Sequence, residues 1–224
     1  VETEAGEVAA SDELTVTRGG GSLGASFRAW ANERDAVWVF ADWRNTYKPA
    51  AMDFGPEAEG EILDPETAVA IEAGAKGVHL DGRLTWGVTA FRMDFDNLVV
   101  AQSVDGRPAL VNAGEERFEG VELESAWRPL TGLAVQATYA WHDPRFRDYE
   151  QAFEGVPTQL SGNQLEMSPQ DLASLGVSWY PRRGFLAHGE AQYVGEHYLN
   201  KRNTAKADAY TLWSAGLGWR FDRL

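Results

Sequence analysis

The chain has 224 residues, 44% of them hydrophobic and 12% aromatic, a formal net charge of −14 and no cysteine. That charge disfavours nucleic-acid binding, which needs a basic footprint, and the missing thiols exclude a disulfide framework or a thiolate metal site. No run approaches the ~18 consecutive apolar residues of a membrane helix, yet a mean hydropathy of −0.37 fits a transmembrane β-barrel as well as a water-soluble domain, because alternating strands dilute hydropathy.

From the N-terminus, Glu2, Glu4, Glu7, Asp12 and Glu13 stand without a base among them. Residues 1–21 read as an acidic, Gly-rich loop remnant, and 22–224 as one β domain. Strands are expected at 22–31, 37–45, 68–79 and 84–98. Beyond them the period-two alternation is plain. Val121, Leu123, Ser125 and Trp127 face one way while Glu122, Glu124 and Arg128 face the other. Leu133, Val135, Ala137, Tyr139 and Trp141 alternate with Gln136, Thr138 and His142. Ala173, Leu175, Val177 and Trp179 alternate with Ser174, Gly176 and Ser178. Phe185, Ala187, Ala191 and Tyr193 alternate with His188, Glu190, Gln192 and Glu196; Thr211, Trp213, Ala215, Leu217, Trp219 and Phe221 close the set. The pattern predicts about nine strands, each apolar on one face and polar on the other. Many exceed the ~5–6 residues of soluble sheets and approach a tilted bilayer crossing. Aromatic rings near their ends form the girdle expected at headgroup level.

The connections alternate in length. Those at 32–36, 80–83, 129–132 and 181–184 are short; those at 46–67, 101–116, 143–171 and 199–209 are long. Outer-membrane barrels sort their connections in this way, with short periplasmic turns and long extracellular loops. A final strand ending in the periplasm puts every short turn on that side. The same count starts the first strand outside, so an odd strand number implies further strands upstream, unless residues 14–18 add one. No initiator Met, basic n-region or apolar h-region is present, so the chain is expected to be a mature product or a piece of a longer one.

The last strand, Ser214-Ala215-Gly216-Leu217-Gly218-Trp219-Arg220-Phe221, resembles the C-terminal signal that the barrel assembly machinery reads. Ser214, Gly216, Trp219 and Phe221 carry that likeness; Asp222-Arg223-Leu224 extends past the aromatic at which such strands usually stop. Further motifs occur in order: Asn45-Thr46-Tyr47-Lys48-Pro49-Ala50, Leu63-Asp64-Pro65-Glu66, Ile71-Glu72-Ala73-Gly74-Ala75-Lys76-Gly77, Phe91-Arg92-Met93-Asp94-Phe95-Asp96-Asn97-Leu98, Val111-Asn112-Ala113-Gly114 and Gly120-Val121-Glu122-Leu123-Glu124. The series resembles the C-terminal barrel half of TonB-dependent outer-membrane receptors. The resemblance implies an all-β, antiparallel up-and-down transmembrane meander, a curved open sheet of about nine strands belonging to a plugged barrel of roughly 22. It further implies residence in the Gram-negative outer membrane among its lipids. It implies uptake of a scarce nutrient, most often a ferric siderophore, and coupling to the TonB energy complex through an N-terminal part. The alternative is a complete small outer-membrane barrel acting as a passive channel or structural protein.

Locally, Pro49 and Pro65 lack a ladder donor and suit points where strands leave the sheet. Gly74, Gly77 and Gly120 suit bends or close packing. Phe54, Tyr149, Phe153 and Gln159 are the candidate ligand-facing loop residues. Catalysis finds little support: His79, His142, His188 and His197 lack metal-ligand spacing, and no Gly-x-Ser-x-Gly elbow accompanies His142-Asp143. No enzyme activity, cofactor or metal site is expected. The interval from Pro49 to Pro65 holds no His, which weighs against heme as cargo.

Overall fold

The computed structural model defines residues 15–49, 62–104, 107–112 and 114–221. In chain order the strands are β1 (Gly21–Ala31), β2 (Ala36–Lys48), β3 (Glu66–His79), β4 (Leu84–Asp96), β5 (Val99–Val104), β6 (Arg107–Asn112), β7 (Glu115–Leu130) and β8 (Leu133–His142). They continue as β9 (Arg145–Asp148), β10 (Glu150–Phe153), β11 (Val156–Gln159), β12 (Asp171–Trp179), β13 (Gly184–Val194), β14 (His197–Tyr198), β15 (Lys206–Ala207) and β16 (Tyr210–Arg220). One antiparallel sheet runs β1-β2-β3-β4-β7-β8-β12-β13-β16, with β9 added beside the start of β7. The path never crosses over, so this is an up-and-down meander, and its nine strands are those expected. Among the described residues it is open: β1 pairs only with β2, and β16 only with β13. The pairs β5–β6, β10–β11 and β14–β15 are hairpins inside the long connections. Residues 15–20 hold no strand, so an added strand reaching Arg18 does not form among the described residues.

Register assigns every side chain to a face. Phe27, Val39, Ala75, Val88, Leu123, Tyr139, Ala173, Tyr193 and Thr211 are successive partners across all nine strands. Arg28, Trp38, Lys76, Gly87, Glu124, Thr138, Ser174 and Gln192 form a row on the opposite face. The first face is apolar and bare: Phe27 is 69% exposed, Leu217 77% and Trp213 80%. Large apolar side chains lined up without protein partners have hydrocarbon as their natural solvent. The buried apolar residues Leu63, Ala68, Ala70, Phe146, Tyr149 and Leu160 lie at or beyond the loop end of the sheet, not beneath this face. The alternating faces therefore do not stack on one another, as a water-soluble sandwich would require.

The apolar band has a definite height. On β7 it runs from Val121 to Trp127; toward the loops, the same face carries Glu115, Arg117 and Glu119. On β4 it ends at Ala90 and gives way to Arg92, Asp94 and Asp96. Arg117 Nε donates to Asp94 Oδ1 at 2.6 Å and Arg92 Nε to Asp94 Oδ2 at 2.9 Å, an ion-paired patch that belongs in water. A charge at the bilayer midplane costs about 2–4 kcal/mol, so the 16-residue β7 crosses the hydrocarbon with its Val121–Trp127 portion and projects beyond it.

At the opposite end the turns are tight. In the β3–β4 turn, Leu80, Asp81 and Gly82 take φ of 56°, 57° and 80°, a run of left-handed backbone that glycine adopts readily. Trp30, His79 and Trp86 follow in series with 6.3 Å between neighbouring ring centroids, the first pair tilted and the second stacked. A Cβ at Gly77 would sit 2.4 Å from Trp86 Nε1, so the indole occupies the space that glycine leaves.

Candidate functional site

The polar face forms an inner wall. A cleft of about 710 Å³ crosses it, lined by Ser26, Trp38, Lys76, Glu124, Thr138 and Ser174 among others. A second, of about 460 Å³, continues toward the loops past Thr89, Glu122 and His142 and shares Glu124 and Thr138 with the first. Arg44 is ion-paired with Glu72 on the neighbouring strand. His188 meets Ser178 Oγ at 3.0 Å and Glu190 at 3.8 Å. This wall offers hydrogen bonds and carboxylates to water or to a polar filling. At the His142-Asp143 dipeptide, His142 faces Glu122 at 3.4 Å and Phe91 edge-on, while both Asp143 oxygens are taken by Arg145 Nε at 2.8 Å.

Two of the sequence motifs build the loop rim. Asn112 Oδ1 accepts the Asp64 amide at 2.9 Å, and its Nδ2 donates to the carbonyls of Asp64 and Asn97 at 3.0 and 2.8 Å. Glu66 accepts the Val99 amide at 2.8 Å and pairs with Lys48 at 3.0 Å. The Leu-Asp-Pro-Glu and Asn-Ala-Gly elements thus pin the β5–β6 hairpin to the entry of β3. Each unmade bond of this kind would leave a polar backbone group stranded.

The predicted loop residues divide. Phe54 lies outside the described residues. Tyr149 is 4% exposed and forms a small core with Phe146 and Leu160, flanked by Leu98, Phe153 and Leu165. Its ring sits 4.9 Å from Phe146, and Lys201 Nζ lies 5.2 Å from its centroid and 3.3 Å from its hydroxyl. Burial, with Glu166 and Glu116 nearby, pushes the phenol up to about 12. Phe153 is half-buried under the Arg202 guanidinium at 4.7 Å. Gln159 Oε1 accepts from the Leu160 and Ser161 amides at 2.9 and 3.2 Å, capping the turn. Tyr149 and Gln159 therefore organise the loop, and Tyr149 presents little surface to a ligand. Two connections are sewn together here: Asn203 exchanges bonds of 2.8 Å with the Gln164 backbone, and Asn163 Nδ2 donates to Lys201 O at 2.9 Å.

Glu116 is the residue sequence reasoning missed. It is 2% exposed at the loop end of β7, above the apolar band, and its Oε2 has no hydrogen-bond partner among the described residues. Burial raises its pKa first, Glu166 and Glu66 add to the rise, Lys201 opposes it, and the carboxyl is pushed up to about 7. Charge alternation at 115–119 gives no sign of burial; β9 pairs beside it, with Phe146 opposite Glu116.

The last strand lies along β13. Ser214 and Gly216 pair with Glu190 and His188 on the inner face, and Trp219 pairs with Phe185 on the outer. Phe221, 80% exposed, follows the strand's end.

A lipid-facing meander with short turns at one end, packed loops at the other and a polar inner wall is a section of outer-membrane β-barrel. The chain belongs to the family described as TonB dependent receptor-like, beta-barrel, whose pattern matches residues 13–224. The barrels of this family reside in the Gram-negative outer membrane and serve transport, not enzymatic chemistry. Among curated proteins, the chain is 26% identical over 162 residues to the Ferrioxamine receptor of Yersinia enterocolitica, covering 72% of this chain and 22% of that protein. It is 28% identical over 174 residues to the Metal-pseudopaline receptor CntO of Pseudomonas aeruginosa, covering 77% and 23%. The chain thus spans about a quarter of the length of these relatives. Its fold resembles the ferric yersiniabactin uptake receptor FyuA from Yersinia pestis, with a TM-score of 0.71 at 21% identity over 89% of this chain and 29% of that one. It also resembles the siderophore receptor PiuA from Acinetobacter baumannii, with a TM-score of 0.70 at 20% identity over 90% and 29%.

Proposed function

We propose that this chain is a C-terminal section of the barrel wall of a longer receptor that imports a ferric siderophore, energised through TonB by a part outside this sequence. The observation that carries the reading is the agreement among curated relatives: receptors named for ferrioxamine, metal–pseudopaline and ferric pyoverdine match across most of the chain. The barrel does no chemistry in this reading. Its outer face sits in lipid after delivery by the assembly machinery, its inner wall surrounds a polar filling, and its loops form part of the capture surface. The partly covered Phe153, the buried Tyr149 and the turn-capping Gln159 act by shaping that surface.

The test is uptake by cells whose own ferric-siderophore receptors are deleted and which express the intact protein. Radiolabelled ferric hydroxamate, catecholate and mixed-ligand siderophores are supplied singly, with cobalamin as a separate arm because a Vitamin B12 transporter BtuB from Photobacterium profundum also matches. TonB-dependent accumulation of one ferric siderophore is the expected result. Accumulation of cobalamin alone, or passive entry independent of TonB, overturns the proposal.

A further inference from the structure

The connections at 143–170 and 195–209 are joined along a seam at the loop end of the inner wall. Gln164 and Asn203 exchange their two bonds, Asn163 reaches Lys201 O, and Met167 N donates to Tyr198 O at 2.8 Å. Lys201 and Arg202 of the second connection lie over the rings of Tyr149 and Phe153 in the first. Each connection therefore supplies partners to the other, and opening one strands polar groups on both.

The joined pair meets the wall along a short, irregular ladder. β9 pairs with β7 at Arg117–Arg145, Glu116–Phe146 and Glu115–Asp148, and the register shifts between Glu115 and Glu116. There Glu116, on the same inner face as Glu124, is buried with Oε2 unpartnered among the described residues. The elements packed on it each bring a defined group. β4 and β9 bring Phe95 and Phe146 as register partners. The start of β3 brings Glu66, held by Lys48 at 3.0 Å. The first connection brings Glu166 and the Tyr149 phenol, and the second brings Lys201. Lys201 also donates to the Tyr149 hydroxyl at 3.3 Å, so its charge is shared. A neutral carboxyl tolerates this setting; an ionised one lacks the bonds that a buried charge needs.

We propose that the two connections open and close as one cooperative unit, and that a single proton on Glu116 holds the unit closed. The closed unit keeps the proton and the opened one releases it. Closure is therefore fully supported below pH 4.5, and that support is lost as pH rises to about 7. An acidic medium meets an ordered loop surface and an alkaline one a loosened surface. The local opening of such a segment is a two-state element that one protonation event can bias. The consequence for cargo capture rests on the import reading above; the loop equilibrium itself does not.

The experiment is residue-resolved hydrogen exchange of the intact protein in detergent, corrected for intrinsic rates. It uses no cargo, so a failed uptake assay and a failed loop test are separate results. The amides followed in the first connection are Leu160 and Met167, bonded to Tyr149 O and Tyr198 O, each at 2.8 Å. Those in the second are Leu199 and Asn203, bonded to Ala205 O and Asn200 O at 2.9 and 3.0 Å. All four should share one opening constant that rises ~10-fold between pH 6 and pH 8. In Glu116→Gln the rise should disappear from both connections. Lys201→Met, which removes the opposing charge, should move the rise to higher pH; an unmoved rise there overturns the proposal even if Glu116→Gln fails to fold. A rise confined to one connection overturns it, because the unit is then not shared. So does a flat profile in the unaltered protein, and so does an undiminished rise in Glu116→Gln, which would assign the proton to another group.

Discussion

Replacing Glu116 with Gln should firm the loop rim above neutral pH and leave it unchanged in acid. The carboxyl is buried with an unpaired oxygen, and its pKa stands at about 7 against an ordinary 4.5. Because the closed loop holds a proton that the opened loop releases, the penalty is absent below pH 4.5. It grows as pH rises to about 7 and is complete above that. The interval corresponds to roughly 3 kcal/mol of loop stability lost at pH 8. Gln keeps the shape and cannot ionise, so the loss should vanish. The assay is hydrogen exchange of peptides covering 143–167 and 197–206 in the intact protein, corrected for the intrinsic pH dependence of exchange. Protection in the unaltered protein should fall between pH 5 and pH 8 relative to Glu116→Gln. Identical profiles, or protection that rises with pH in the unaltered protein, would refute the burial argument.

Three further outcomes follow from named contacts. Asn112→Ala removes three side-chain hydrogen bonds that pin the β5–β6 hairpin. It should loosen residues 97–112 by about 1–3 kcal/mol, read as faster protease nicking there with the rest of the barrel intact. Leu123→Arg puts a charge on the lipid face and should cost about 2–4 kcal/mol, seen as a lower unfolding midpoint in urea. Thr138→Arg, on the inner wall, should cost far less, and equal effects would contradict the assignment of faces. Lys201→Met removes the cation over Tyr149 and the opposing charge near Glu116. It should destabilise the loop by about 1 kcal/mol and move the pH-dependent loss of protection to higher pH.

The nine crossing strands were legible because bilayer and water impose opposite demands on alternate side chains, and Val121 to Trp127 or Ala173 to Trp179 obey both. The strand ends were not. Residues 115–120 project past the hydrocarbon, where charges are welcome on either face, so the alternation dissolves while the ladder continues; their partners 91–96 fell within the strand expected at 84–98. The hairpins in the loops were hidden for a related reason. The β10–β11 turn places Glu154 at φ 53° before Gly155 at φ 80°, and Glu is not the residue that signals such a turn. Tyr149 is a different case. An aromatic in a polar loop can face a ligand or can be the loop's own core, and only the packing of Phe146 and Leu160 decides between them. Burial of Glu116 is set by a neighbour thirty residues on, Phe146, which no local pattern announces.

The bare flanks of β1 and β16 have a consequence for anything that completes this sheet. Within hydrocarbon, a peptide group lacking a partner is intolerable, so both margins must be met by other strands. The pleat restricts which ones qualify. A strand docking on β1 has to bring greasy side chains opposite Leu23, Ala25 and Phe27, and a strand docking on β16 must do the same for Trp213, Ala215 and Leu217. A slip of one residue would turn the newcomer's oily side into the pore. The molecule thus carries, on each side, a template that reads the phase of its neighbour.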